Sequence, residues 1–168
     1  TVHPHPQPVD PILREAVEVV GPAAAQARVE RSVEVEPGLP DVNADAELLR
    51  QAFLNLGVNA IQAMQDRGGG RLAVRARRDG DGVLVEFEDS GPGIDQEAAA
   101  RIFEPFFTTK ATGTGLGLAI VRQAAEAHGG TVGVESAPGR GAIFRVRLPA
   151  AGVAPAAEGG QQALGGET

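Results

Sequence analysis

The sequence has no cysteine, a single lysine, no long apolar run and no surplus of positive charge. Each absence closes a class of explanation. Without cysteine there is neither a disulfide framework nor a thiolate metal site, and the redox compartment stays unmarked. No segment approaches the roughly 18 uninterrupted apolar residues of a membrane span. The opening TVHPHPQPVD also lacks the apolar stretch of a secretory signal, so no direct membrane contact is expected. A formal net charge of -7 argues against nucleic acid or an anionic membrane as partner, because the bulk field attracts neither. Any anionic ligand must be held by local groups. Against 14 arginines, the lone Lys110 stands in TTKATGTGLGLAIV (108–121), where Gly113, Gly115 and Gly117 alternate directly ahead of an apolar run.

What is present suits one globular domain: 168 residues with 42% apolar content can bury a core, and two domains would be crowded. Prolines at 4, 6, 8 and 11 predict an extended lead-in over 1–10, outside the core, and the chain opens as if cut from a longer protein. Residues 12–28 read as a helix perturbed at Gly21-Pro22, and VERSVEVE (29–36) alternates like a strand that stops at Pro37-Gly38. The strongest helix signal covers 45–65, with Asp45 as N-cap and Gly68 to Gly70 as the stop. RLAVRARR and GVLVEFED, joined by DGDG, predict a hairpin. Between Ser90 and Gly113 only QEAAARIF is regular, and a connection that long inside a domain is usually functional. GLGLAIVRQAAEAHGG predicts a second long helix, then TVGVESAP and AIFRVRLP a closing strand pair. Residues 150–168 carry too little apolar content to fold, and disorder is expected there. The element order predicts an α+β two-layer sandwich over 11–149, with helices on one face of a mixed, largely antiparallel sheet.

Three constellations carry chemistry. Gln51, Asn55 and Asn59 fall at i, i+4 and i+8 of the strong helix and share one stripe of an otherwise apolar element. Buried amides must be bonded; nearby backbone would serve, and so would a polar ligand such as phosphate-bound Mg²⁺. DSGPGID (89–95) puts a carboxylate beside backbone that a ligand could approach closely, but Asp-Ser-Gly-Pro is also an ordinary turn. GTGLGL matches neither a P-loop nor GxGxxG, since residue 118 is Leu. Glycines entering a helix still offer free N–H groups to an anion, and a flexible hinge is an equal alternative.

Taken together, NLxxNA, DxGxG, FxPFFTTK and GTGLGL, in that order and at these spacings, resemble the ATP-binding catalytic domain of bacterial sensor histidine kinases in the GHKL superfamily, over about residues 9–149. Asn55 to Ala60 looks like the N box, Asp89 with Gly91 and Gly93 like the first glycine box, Phe103 to Lys110 like the F box, and Gly113 to Leu118 like the second glycine box. The resemblance implies a sheet packed against three helices, with ATP and Mg²⁺ as cofactors. Asn59 would hold Mg²⁺ with Asn55 assisting, and Asp89 would accept from the adenine amine. Gly91, Gly93 and Ile94 would border the base. Thr109, Lys110, Gly113, Thr114, Gly115, Leu116, Gly117 and Leu118 would border the phosphates as part of a lid running from about Pro92 to Thr114. Catalysis would rest on Asn55, Asn59 and Lys110.

Related ATPases of the gyrase, mismatch-repair and chaperone types, and serine kinases, use a Glu where this chain has Asn55. An amide takes no proton, whereas imidazole attacks with its own lone pair, so the resemblance favours transfer to histidine. The acceptor would lie outside the chain. His3 and His5 sit in the proline-rich lead-in, and His128 is expected to be structural at a helix end, its charged form favoured by the dipole. Implied partners are a histidine-bearing dimerisation domain of a homodimeric parent and a downstream response regulator, with a cytoplasmic location; the fragment alone would be monomeric. An ATPase motor and a non-catalytic nucleotide-sensing or protein-binding module are the rival readings.

Two departures stand out. Gln62 replaces a Lys or Arg that many members use to reach the phosphates, a charge that Lys110 or Arg67 could supply. Ala142 and Ile143 replace threonines that make a water-mediated adenine contact, leaving more of the base recognition to Asp89. The phenylalanines of FEPFF are expected to anchor the lid to the core, the alternative being that one meets the acceptor domain.

Overall fold

A computed structural model describes residues 3–107 and 116–153. Five strands form one sheet in the order β2 (Val29–Val35), β4 (Gly70–Asp79), β5 (Gly82–Asp89), β7 (Ala142–Pro149), β6 (Thr131–Ser136). Only β2 and β4 run parallel. Helices α1 (Val9–Val19), α3 (Ala46–Gln65) and α5 (Gly117–Ala127) are the long ones, while α2 (Gly21–Ala27) and α4 (Gln96–Arg101) are short. The α+β architecture is the expected one.

Periodicity explains both layers. On α1 the buried residues are Val9, Ile12, Leu13, Ala16 and Val17, the i, i+3, i+4, i+7, i+8 pattern of a helix with one core face. Strand β7 alternates without a break, with Ala142, Phe144, Val146 and Leu148 buried and the residues between them half-buried. Strand β5 lies centrally, with Val83, Val85 and Phe87 inward, and Phe87 stacks on Phe53 of α3 at 6.0 Å between centroids. The outward face of the same strands carries charge. Glu86 there is only 7% exposed and is ringed by Arg145, Arg75 and Arg77. Burial pushes its carboxyl up, but the hydrogen bond from Arg145 and the fields of Arg77 and Arg75 outweigh this and hold it below the usual range.

The lead-in departs from expectation. His5–Gln7 forms strand β1, which pairs antiparallel with β3 (Val42–Ala44), and α1 begins at Val9 because Pro11 is tolerated in a first turn. Val9 lies in the core, so this segment is not merely a linker. The helix read across 12–28 is two helices broken at Val20, and α2 ends at Arg28 in the left-handed region with φ 61°. At the other end, Ala150 bridges Val42 and the Ala151 N–H donates to the Asp41 carbonyl at 2.8 Å. Those residues belong to the fold; 154–168, where disorder is expected, lie outside the described residues. No described helix is long and apolar enough to cross a membrane.

Candidate functional site

Asp45 caps α3 as expected, its carboxylate accepting from the Leu48 N–H at 3.2 Å. The backbone N–H groups of His3 and Leu48 hold that carboxyl below its usual range. The helix carries Gln51, Asn55 and Asn59 on one stripe, and the Gln51 amide donates to Asn55 Oδ1 at 3.5 Å. The stripe is the margin of an amphipathic helix and not an enclosed face: Gln51 is exposed while Asn55 and Asn59 are half-buried. Asn55 Nδ2 is nonetheless fully buried and, among the described residues, has no hydrogen-bond partner. A buried N–H left unmade costs roughly 1–3 kcal/mol, so it points to a ligand that accepts.

Strand alternation delivers the carboxylate. Val83, Val85 and Phe87 face the helices, so Asp89 does too, at 4% exposure on the last residue of β5. Its Oδ1 accepts from the Gly91 N–H at 2.9 Å. Gly91 in turn lies against α3 one turn beyond Asn59: a Cβ built on it would stand 3.4 Å from Ala63. The N box and the first glycine box are therefore neighbours, although 30 residues separate Asn59 from Asp89.

Gly93 adopts φ 74°, which L side chains rarely take, and its Cβ would meet the Ala137 carbonyl at 2.1 Å. The Ile94 N–H is occupied by Ser136 Oγ at 2.8 Å, so Ile94 offers a ligand its side chain and carbonyl only. Helix α5 starts at Gly117, where among the described residues there is no side-chain cap and nothing within 4 Å of a built Cβ. Its first N–H groups and the positive end of its dipole form the kind of helix start that favours an anion. Leu116 is exposed, but Leu118 is packed in the core, so its contribution is confined to backbone. Thr109, Lys110, Gly113, Thr114 and Gly115 lie outside the described residues.

The F-box phenylalanines divide. Phe103 meets Phe144 edge-on at 6.1 Å, and Phe107 packs on the core beneath the Arg101 guanidinium. Phe106 is 74% exposed with φ 67° and anchors nothing. His128 has the structural place expected of it: Nε2 accepts from the Asp45 N–H at 3.0 Å and Nδ1 lies 2.6 Å from the Ala124 carbonyl.

Among the described residues no group of three His, Asp or Glu is placed to hold a metal, so any cation must rely on amide oxygens and its own ligand. A cavity of about 410 Å³ lined by Arg71, Glu88, Asp89, Ser90 and Arg140, among others, reaches the end of β5 but none of the α3 asparagines. Sequence reasoning missed Ser136, whose hydroxyl joins Ile94 to the Gly141 carbonyl. No spacing rule marks it, because its partners are set by strand register.

A family model described as histidine kinase-, DNA gyrase B-, and HSP90-like ATPase matches residues 44–152. The signal transduction histidine-protein kinase AtoS of Escherichia coli (strain K12) is 44% identical over 138 residues, 82% of this chain and 22% of the relative. The sensor histidine kinase ZraS of Klebsiella oxytoca is 42% identical over 141 residues, 84% of this chain and 30% of the relative. The chain thus spans less than a third of these curated relatives. Among solved structures, full-length ShkA in complex with AMPPNP superposes with a TM-score of 0.79 at 36% identity, over 94% of this chain and 33% of that one. The nucleotide-free catalytic domain of the histidine kinase ThkA gives 0.77 at 30% identity, over 88% and 96%.

Proposed function

Because the chain belongs to the histidine kinase-, DNA gyrase B-, and HSP90-like ATPase family, we propose that it is the Mg·ATP-binding catalytic domain of a sensor histidine kinase. In this reading it transfers the γ-phosphoryl group of ATP to a histidine on a separate dimerisation domain of a homodimeric parent. A response regulator then receives the group, and the domain works on the cytoplasmic side. The observation that carries the reading is the buried Asn55 Nδ2, without a partner among the described residues, on the helix that touches the Asp89 turn through Ala63.

The residues present fit the nucleotide and its cation. Asn55 Nδ2, as oriented here, donates to a phosphate oxygen; with the amide turned over, its oxygen assists at the cation. Asn59 supplies a neutral oxygen suited to Mg²⁺. A Mg²⁺ held there would supply charge neutralisation during transfer. Asp89 accepts from an exocyclic amine and so selects adenine over a base presenting a carbonyl there. The Gly117 end of α5 directs N–H groups and the positive dipole end at the phosphates. Thr109, Lys110, Gly113, Thr114 and Gly115 complete the phosphate side on their sequence match alone. With Asn55 in place of Glu, the chain offers no base for water there, while a histidine acceptor needs none.

Asp89→Asn tests this. The amide is isosteric and can keep the Gly91 contact, but it turns a charged acceptor into a group that also donates. Losing a charge-assisted bond of roughly 1.5–3 kcal/mol corresponds to about 10- to 150-fold weaker ADP binding by calorimetry. The domain should still melt cooperatively. Unchanged ADP affinity would sink the adenine assignment.

A further inference from the structure

Three segments meet where β5 ends, and one hydroxyl ties two of them together. Across the sheet Ser136 pairs with Ala142 and Ala142 with Asp89, so the three stand in one row on the helix-facing side. With strands about 4.8 Å apart, Ser136 and Asp89 flank Ala142 at roughly 10 Å from each other. Ile143, opposite Glu88, points to the other face. Of Ala142 and Ile143, only Ala142 therefore stands in the row of Asp89.

Ser136 Oγ accepts from the Ile94 N–H at 2.8 Å and donates to the Gly141 carbonyl at 2.7 Å. Beside it the Gly139 N–H donates to the Pro92 carbonyl at 2.5 Å. The turn Gly91–Ile94 is thus laid against the turn 137–141, close enough that Gly93 and Gly141 have no room for a side chain. A Cβ on Gly141 would stand 2.1 Å from the Asp89 carbonyl.

We propose that Ser136 is a positioning residue for adenine: its hydroxyl fixes the Pro92–Ile94 backbone against the last hairpin, so that the base meets Asp89 at a set angle although residue 142 offers no hydroxyl. This rests on the nucleotide reading above. A hydroxyl has one proton and two lone pairs, and Ser136 uses the proton and one lone pair in these bonds. Alanine can make neither. Threonine can make both and suits a strand.

The test compares the full 168-residue chain with Ser136→Ala, Ser136→Thr and Asp89→Asn. The readouts are ADP and GDP titration by calorimetry, thermal melting and amide exchange at Ile94. Ser136→Ala should bind ADP about tenfold more weakly, lose part of its ADP-over-GDP preference and lose protection at Ile94, with a melting temperature near the parent's. Ser136→Thr should restore all three within about threefold. Ser136→Ala binding ADP like the parent while Asp89→Asn fails would overturn the role of Ser136 and leave the nucleotide site standing. A parent chain that binds no adenine nucleotide would overturn both. Loss of melting temperature in proportion to affinity, with no rescue by threonine, would reduce Ser136 to a stability residue and overturn the proposal too.

Discussion

Gly93→Ala isolates the turn that borders the adenine side from the rest of the fold. At φ 74° an L residue costs roughly 1–2 kcal/mol in backbone strain alone. The added Cβ would also stand 2.1 Å from the Ala137 carbonyl and 3.0 Å from that of Gly141. Carbon and oxygen settle near 3.3 Å, so the two turns must part by about 1 Å. The bonds placed to yield are Gly139 N–H to Pro92 and Ile94 N–H to Ser136, neither of them part of the sheet's backbone ladder. ADP affinity, read by calorimetry, should therefore fall at least 30-fold, or about 2 kcal/mol, while the melting temperature drops by only some 3–10 °C. Gly139→Ala is the control: its φ is 80° but nothing lies within 4 Å of the new methyl, so it carries backbone strain without the collision. ADP binding within threefold of the parent in Gly93→Ala, or equal losses in the two variants, would refute the claim that close approach of the two turns shapes the site.

Asn55→Glu should raise steady-state phosphate release from ATP at least tenfold by putting a base where the amide now sits; no rise would count against the missing-base argument. Phe53→Ala, at a fully buried ring stacked on Phe87, should cost about 3–5 kcal/mol in urea unfolding, and a loss below 1 kcal/mol would mean that α3 is not held to β5 by this pair. Glu86 and Asp45 both titrate below the usual carboxylate range, so their stabilisation is complete above about pH 4.5 and is lost as pH falls through the folded values. The melting temperature should accordingly be flat from neutral to pH 5 and fall below it. Glu86→Gln should lower the neutral plateau and shrink the acid drop, and an unaltered acid profile would show that the arginine cage does not couple to folding.

Local signals carried most of the fold because they act over a few residues. The α3 cap at Asp45, the hairpin at DGDG and the unbroken alternation of β7 each depend on side chains within one turn or one pleat. What escaped depends on partners far along the chain. The lead-in reads as an extended linker because prolines at 4, 6 and 8 discourage regular structure, yet its carbonyls and the remaining N–H groups still pair with Val42–Ala44, 35 or more residues away. Similarly, nothing local to His128 shows that Asp45, 83 residues earlier, brings its N–H to the ring.

The site divides along the same line. Asn55, Asn59 and Asp89 leave marks in sequence, an amide stripe on a helix and an acid closing an alternating strand, and it is their combination with the glycine boxes that makes them candidates. Ser136 left none, since a serine at the end of a strand is unremarkable until register sets it beside Ala142 and Asp89. That placement bears on how the site tolerates Ala142. A missing hydroxyl in one strand can be offset from the adjacent strand when the intervening side chain is small, because neighbours in the row stand within about 5 Å of each other. A larger residue at 142 would close that gap and push Ile94 from Ser136. Ala142→Leu should then weaken ADP binding at least as much as Ser136→Ala, and if it does not, the row across the strands has no part in seating the base.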